Sequence, residues 1–493
     1  MRVALLNPPS YEDFDGGAGS RYQATREVTS FWYPTWLCYP AGMIKDSKVI
    51  DAPAEHLSLE ETLNRLKGYD LVVIYTSAAS FNKDVQTAGC IKAENSKGGR
   101  ATPLVAMVGP HPSAVPEECL KASEVAGPLP AIDFVCRREF DYAIKEVAEG
   151  KELKDVLGIS YKSGRATPGD GQIIHNPDRP PIQDLDALPF VVEVYKRDLN
   201  IRNYQIPYLK WPYVSIYTGR GCPAQCIFCL WPQTFTGNTY RVRSPGSVVE
   251  EVKLAIKYFP EAKEIFFDDD TFTANRARVH EICKGLKPLG ITWSTTSRVT
   301  TDPETLRAME DSGLRLVVVG YETGSQKILD NVKKGATLEQ AREFTKNCKK
   351  LGIQIHGAFI LGLPEETKET IEESIRFARE VNPDTIQVSL ASPYPGTRFY
   401  EMCRERGYLV EENLVMDRGY QNCCVRYPKL SHEEIFQAVE RFYKKFYYRP
   451  GFIIRTLKKI LFNKEERKRI LREGEEFKAF LSRRKELIKG KQC

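Results

Sequence analysis

Short apolar runs alternate with polar, helix-length stretches along most of this chain, the rhythm of a parallel α/β sheet. In the first 150 residues, Val3–Leu6, Lys48–Ile50, Leu71–Tyr75, Leu104–Val108 and Phe134–Cys136 predict strands, and Leu57–Leu66 and Asp141–Glu149 predict helices. Three of these strands run into turn chemistry: Asn7-Pro8-Pro9, Asp51-Ala52-Pro53 and Gly109-Pro110-His111-Pro112. Doubly wound sheets bind ligands beyond their strand C-termini, so those turns would line a pocket. Residues 151–205 break the rhythm. Their Pro- and Asp-rich composition, as in NPDRPPIQDLDALPF, reads as a hairpin-like linker with little helical periodicity.

From residue 206 the alternation resumes in longer units. Tyr213–Tyr217, Glu264–Asp268, Ile291–Ser294, Leu314–Val319, Gln354–Ile360 and Thr385–Ser389 predict six strands. Helices over Ser247–Tyr258, Ala277–Leu286, Pro303–Asp311, Leu338–Leu351 and Lys368–Glu380 fill the gaps. Six β/α units make a partial barrel, with its chemistry expected at the C-terminal strand ends. The predicted class is therefore α/β: a doubly wound, Rossmann-like domain over 1–150, a linker over 151–205, a partial (β/α)6 barrel over 206–430, and a helical extension over 431–493.

Charge changes the picture only at the end of the chain. The formal net charge is +6, yet residues 441–493 hold 18 Lys or Arg against 6 Asp or Glu, leaving −6 for the rest. Basicity confined to a tail argues against a nucleic-acid partner for the whole protein. Within Pro450–Phe462, Ile453, Ile454, Leu457, Ile460 and Leu461 share one helical face, with Arg455, Lys458 and Lys459 opposite. That pattern suits either a helix packed on the barrel with a solvated basic side, the reading favoured here, or a helix lying in a membrane interface. The start, MRVALLNPPS, reads as a buried strand and not a secretory signal, and no stretch has the length of a transmembrane helix. Thirteen scattered cysteines suggest no disulfide framework and suit a reducing, cytoplasmic setting.

Three of those cysteines stand apart. Cys222, Cys226 and Cys229 lie in TGRGCPAQCIFCLWP, a C-x3-C-x2-C spacing directly after the first barrel strand. Three thiolates on one short loop can ligate three irons of a [4Fe–4S] cube and leave the fourth iron open, whereas fully ligated cubes use four cysteines. An open iron can chelate the amino and carboxylate groups of S-adenosylmethionine, and electron transfer would then cleave the sulfonium to a 5′-deoxyadenosyl radical. A structural zinc site would want a fourth Cys or His nearby, and none lies between Cys229 and His280.

The cysteine loop on a six-unit barrel resembles the radical S-adenosylmethionine (radical SAM) enzymes. Arg241-Val242-Arg243-Ser244-Pro245, Phe267–Thr273, Gly320-Tyr321-Glu322-Thr323-Gly324-Ser325, Gly362–Thr367 and Pro393-Tyr394-Pro395-Gly396-Thr397 resemble the subgroup with an N-terminal cobalamin-binding-type domain. Phe14–Trp36 and the cluster flank are similar to its hopanoid-biosynthesis branch. The resemblance, spanning residues 1–445, implies roles position by position. Cys222, Cys226 and Cys229 would bind the cluster, and Phe228 would pack on adenine. Asp269 or Asp270 would accept the methionine amino group, unless the Asp268–Asp270 run caps a helix. Arg298 and Glu322 would meet the methionine carboxylate and ribose, unless Arg298 pairs with a local carboxylate. Gly357 and Gly362 would let backbone approach the nucleoside.

Two departures from the pattern bear on function. The cobalamin-binding turn D-x-H-x-x-G is absent, and neither His56 nor His111 has an Asp two residues before it. A lone strand-end histidine is commonly a hydrogen-bonded turn residue, so cobalamin is left open as a cofactor. Glu365 also occupies a glycine place in the Gly362–Thr367 turn. The aromatic run Phe31–Trp36, with Trp231, reads as core packing or as the wall of an apolar lipid channel. The resemblance implies contraction of the glucosamine ring of a hopanoid glycolipid to an aminocyclopentitol, driven by a flavodoxin- or ferredoxin-like reductant. Cobalamin-dependent methylation of another lipid or natural product, and a non-catalytic iron–sulfur sensor, are the competing readings.

Overall fold

Five apolar segments become parallel strands in the computed structural model: Val3–Asn7 (β1), Ser47–Asp51 (β2), Leu71–Tyr75 (β3), Leu104–Val108 (β4) and Phe134–Cys136 (β5). Every residue of β1 and β3 is buried, as expected of parallel strands covered on both faces. The order β2-β1-β3-β4-β5 reverses direction between β1 and β3, which makes the C-terminal edge there the natural ligand crevice. A hairpin, Ile159–Lys162 (β6) and Ile173–His175 (β7), extends the sheet antiparallel beyond β5. The structure describes residues 1–11, 14, 18, 23–97, 102–122, 130–163, 171–462 and 464–490. Glu12, Asp13, Asp15–Gly17 and Gly19–Tyr22, around and within the Phe14–Trp36 segment, lie outside them.

The connector carries more order than its sequence suggests. After β7 it forms the helix Val191–Asp198, with Val191, Val192, Val194 and Tyr195 buried. Eight residues are too few for a 3.6-residue period to declare itself, and β-branched residues are indifferent helix formers, so tertiary burial makes this helix.

The second sheet opens with Tyr213–Ile216 (β8), followed by the short antiparallel pair Gly219–Arg220 (β9) and Arg241–Val242 (β10). Glu264–Phe267 (β11), Trp293–Ser297 (β12), Leu314–Glu322 (β13), Gln354–Leu361 (β14) and Thr385–Leu390 (β15) complete it. Six strands run parallel in the order β15-β14-β13-β12-β11-β8, an open partial barrel. Ser244, Asn275, Asp302, Thr337 and Thr367 each accept a backbone N–H in the first turn of the helix that follows, so the caps fix where each barrel helix starts. The edge strand β15 is not left bare. Its backbone N–H groups at Ile386, Val388 and Leu390 donate to Tyr447, Tyr443 and Gln421 at 3.0, 2.8 and 2.8 Å, which blocks pairing with another chain.

The aromatic run packs between the two sheets. Tyr33 stacks on Tyr204 with centroids 4.0 Å apart and donates to the Tyr213 carbonyl at 2.6 Å. Trp36 meets Trp231 and Phe235 at 5.3 and 4.8 Å. Phe31, Trp32, Tyr33, Trp36 and Trp231 are all buried in the core. They are packing residues and not a lipid channel. Two buried ion pairs cross the same junction: Asp141 accepts both Arg220 guanidinium nitrogens at 2.9 Å, and Glu139 holds Arg241 at 2.9 and 2.5 Å.

The C-terminal helices span His432–Tyr447, Pro450–Phe462 and Lys464–Gly490. The packed-helix expectation for Pro450–Phe462 is overturned, because Ile453, Ile454, Leu457 and Leu461 face solvent. Phe452 turns inward against Tyr447 instead. Among the described residues no helix is long and apolar enough to cross a membrane.

Candidate active site

The cysteine loop is held by its backbone. Cys222 N–H donates to Gly237 O at 3.3 Å and Ile227 N–H to Val332 O at 3.1 Å. A short π-helical turn, Pro232–Thr236, presents Gln233, whose side-chain amide donates to the carbonyls of Cys226, Ile227 and Cys229 at 3.3, 3.0 and 2.8 Å. Asn238 similarly bonds the carbonyls of Cys222 and Ala224 at 3.4 and 3.1 Å. Cys222 and Cys226 are buried and Cys229 half-buried. Burial pushes the Cys222 and Cys229 thiols up, and negative charge on neighbouring cysteines and Asp270 pushes the same way. Among the described residues no three Cys, His, Asp or Glu converge on a point for one metal ion. A cube takes each thiolate on a different iron and needs no such point.

The remaining predicted residues divide by what surrounds them. Asp269 is fully engaged within the protein: Thr218 donates through its N–H at 2.5 Å and hydroxyl at 2.6 Å, and Tyr240 through its hydroxyl at 2.7 Å. Burial pushes its carboxyl up, opposed by Arg278 and those hydrogen bonds. Asp270 is half-buried, accepts from Gly221 N–H and Thr236 Oγ1 at 3.2 Å each, and acts electrostatically on Cys222 and Cys229. Helix capping does not explain the run, since Asn275 caps the next helix. Arg298 donates to the carbonyls of Lys334 and Gly335 at 2.6 and 3.5 Å. It lines a cavity of about 570 Å³ with Pro223, Ala224, Gln225 and Lys334, beside the cysteine loop. Phe228, half-buried, packs on the main core.

Glu322 ends β13 at a bulge, in the left-handed region at φ 64°, and pairs with the half-buried Lys334. A Cβ on Gly320 would sit 2.2 Å from the Glu322 carboxylate and 2.9 Å from Lys334 Nζ, so glycine there makes room for the pair. Gly357 lies against the Tyr321 ring, where a Cβ would approach to 3.0 Å. Gly362 has φ 89° and faces Ile435 and Val425. Protein neighbours therefore account for both of those glycines. Glu365 adopts φ 64°, the conformation a glycine would take more cheaply. Sequence reasoning missed Lys334 and Gln233. Neither has a diagnostic spacing, and only the fold brings them to the cysteines.

A larger cavity, about 1800 Å³, lies at the C-terminal edge of the first sheet. Ser10 and Ala78 line it from the turns after β1 and β3, His111 from the short helix Pro110–Ala114 after β4, and Pro393, Tyr400 and Met416 from the chain beyond β15. His111 is buried, stands 4.6 Å from the Phe81 ring, and has no hydrogen-bond partner on either ring nitrogen. Burial lowers its pKa to about 4, so it is neutral. The expectation of a hydrogen-bonded turn histidine fails here. A buried, unpartnered imidazole facing a cavity suits a bound ligand better. His56 is exposed, edge-on to Phe31.

Residues 216–378 match the Radical SAM superfamily. The chain is 33% identical to an uncharacterized methyltransferase of Pyrococcus horikoshii, over 93% of its own length and 95% of that protein. It is 28% identical to the anaerobic magnesium-protoporphyrin IX monomethyl ester cyclase of Rubrivivax gelatinosus, over 96% of this chain and 81% of that one. Among solved structures, the cobalamin-dependent S-adenosylmethionine radical enzyme OxsB, with aqua-cobalamin and S-adenosylmethionine bound, superposes at a TM-score of 0.67. The alignment covers 98% of this chain and 71% of that one at 15% identity, a likeness of fold. These relatives do not carry the hopanoid assignment. Identity of one third, maintained over 93% of the chain together with the cysteine spacing, is beyond coincidence, and the chain belongs to the radical SAM superfamily, whose cofactors are a [4Fe–4S] cluster and S-adenosylmethionine.

Proposed function

We propose that the protein is a cobalamin-using radical SAM methyltransferase. The observation that carries this reading is the cavity of about 1800 Å³ between the C-terminal edge of the first sheet and the chain beyond β15, with neutral His111 in its wall. A corrin is a broad macrocycle that needs such a slot, and the slot lies where doubly wound sheets bind ligands. A relative named as a methyltransferase and the likeness of fold to OxsB support the same reading.

When bound, the cluster would deliver an electron to S-adenosylmethionine and cobalamin would carry a methyl group. The chain's own contribution is placement. Gln233 and Asn238 fix the loop so that three thiols stay together without large rearrangement. Asp270, half-buried and acting on the charge of Cys222 and Cys229, is the carboxylate placed to receive a methionine ammonium, whereas Asp269 is engaged by Thr218 and Tyr240. Arg298 and Lys334 place positive charge beside the loop, where a methionine carboxylate would sit. The pair of half-buried Lys334 and buried Glu322 holds both groups in one geometry.

The test is anaerobic turnover with reductant, hydroxocobalamin, methyl-deuterated S-adenosylmethionine and a panel of lipid acceptors that includes a glucosamine-bearing hopanoid. Corrin absorbance that stays with the desalted protein and a product heavier by the labelled methyl are expected. Protein that assembles its cluster but retains no corrinoid would overturn the proposal. A glucosamine-bearing hopanoid returned as an isomer, with no methyl gained, would instead restore the ring contraction, which rests on the resemblance alone.

A further inference from the structure

The helix Pro450–Phe462 is built inside out. At 100° per residue, Ile453, Ile454, Leu457, Ile460 and Leu461 fall within one arc of roughly 120°. Four of the five are exposed, from 43% at Ile453 to 66% at Leu461, and Phe462 at the end is 86% exposed. The helix meets the protein through the opposite side, where Phe452 lies 4.9 Å from Tyr447 and Arg455 covers the Phe452 ring at 5.0 Å. A helix recruited to the core would do the reverse. A contiguous apolar face left in water marks an interaction surface.

Charge selects the occupant. The helix carries Arg455, Lys458 and Lys459 and no acid, with Arg449 and Lys464 at its ends. Lys458 is exposed beside the apolar arc; the Lys459 side chain lies outside the described residues. A second copy of this face would bring like charges together, which disfavours self-association. Thirteen residues are too few to span a bilayer. A short apolar face flanked by cations is what an amphipathic helix at an anionic lipid surface requires. We propose that Pro450–Phe462 lies in the interface of an anionic membrane, with Ile454, Leu457 and Leu461 below the phosphates and Lys458 among them. The proposal does not depend on the methyl-transfer reading, because it concerns where the enzyme works and not what it transfers.

The test is flotation of the full-length, cluster-loaded chain with phosphatidylcholine vesicles, with and without phosphatidylglycerol, at low and high salt. Binding to the anionic vesicles alone, lost at high salt, is the expected result. The triple variant Ile454→Ser/Leu457→Ser/Leu461→Ser should bind at least roughly tenfold more weakly, and Lys458→Ser/Lys459→Ser roughly tenfold more weakly as well. Both variants should still form 5′-deoxyadenosine in solution, which reports an intact fold. Equal flotation with neutral and anionic vesicles, or no flotation at all, would overturn the proposal. So would a triple variant that floats like the parent. A concentration-dependent dimer that the triple variant abolishes would also overturn it, in favour of a second copy on this face.

Discussion

Asp141→Ala isolates the contact that joins the first sheet's helix to the cysteine loop. Asp141 begins the helix Asp141–Ala148 and holds Arg220, two residues before Cys222, through two bonds of 2.9 Å. Both side chains are 2% exposed. Removing one member of a buried pair costs about 3–5 kcal/mol, because the remaining charge stays desolvated. Arg220 keeps some compensation: Glu139 lies 3.8 Å away, and the rings of Trp36 and Tyr39 lie 4.7 and 4.6 Å from the guanidinium carbon. Those contacts place the loss at the lower end, about 3 kcal/mol. At about 2.1 cal/mol/K per residue, cooperative unfolding of the whole 493-residue chain has an entropy near 1 kcal/mol/K, so calorimetry should show a fall of about 3 °C. The double variant Asp141→Leu/Arg220→Met removes both charges and should recover most of the loss. A single variant that costs less than about 1 kcal/mol would refute the reasoning, as would a double variant melting no higher than the single.

Cys222→Ala, Cys226→Ala and Cys229→Ala should each lower iron content and abolish 5′-deoxyadenosine formation, whereas Cys283→Ala and Cys403→Ala, in the buried core, should keep both; an essential Cys403 would break the assignment. Lys334→Met leaves Glu322 buried without its cation, and should weaken S-adenosylmethionine binding by roughly tenfold with the cluster still assembled; unchanged perturbation of the cluster's spectrum at limiting S-adenosylmethionine would contradict this. Burial raises the Glu366 carboxyl to about 8, against backbone hydrogen bonds from Gly362 and Leu363. The folded chain therefore holds one more proton than the unfolded chain between the ordinary carboxylate range and pH 8. Its contribution is complete below that window and lost as pH rises through 8, with a slope of up to about 1.4 kcal/mol per pH unit. Glu366→Gln should flatten that slope in denaturation measured at several pH values, and an unaltered slope would exclude Glu366 as its source. His111→Ala should reduce the corrinoid retained after desalting, and full retention would remove His111 from the proposed site.

Most of the barrel was legible because its signals are local. Five apolar strands of the first domain and six of the second are written as runs long enough to read, and Asp302 and Thr337 announce helix starts through their side chains. β12 is displaced toward Ser297 from the predicted Ile291–Ser294 because its last four residues, Ser-Thr-Thr-Ser, are polar. There Thr295 and Thr296 bond the Phe267 and Asp269 carbonyls at 3.0 and 2.6 Å, a contact that no apolar pattern records. The cluster cysteines were legible for the same reason as the strands: their spacing is short enough for one loop to enforce.

What tertiary structure decided are choices between residues that the sequence presents as equals. Asp269 and Asp270 are adjacent carboxylates, but the hydroxyls of Thr218 and Tyr240 engage Asp269, and Gly221 N–H and the Thr236 hydroxyl engage Asp270. Lys334 gains a place beside the cysteines because the chain just past the short helix Gln326–Asn331, which follows β13, folds back, with Val332 O receiving Ile227 N–H. The tail shows the limit most plainly. Its sequence fixes an amphipathic helix, since side-chain spacing is a property of the helix alone. Which side faces the protein depends on what the protein offers, and Tyr447 offers an aromatic contact to Phe452. The periodicity determined that an apolar face exists, and packing decided that it looks outward.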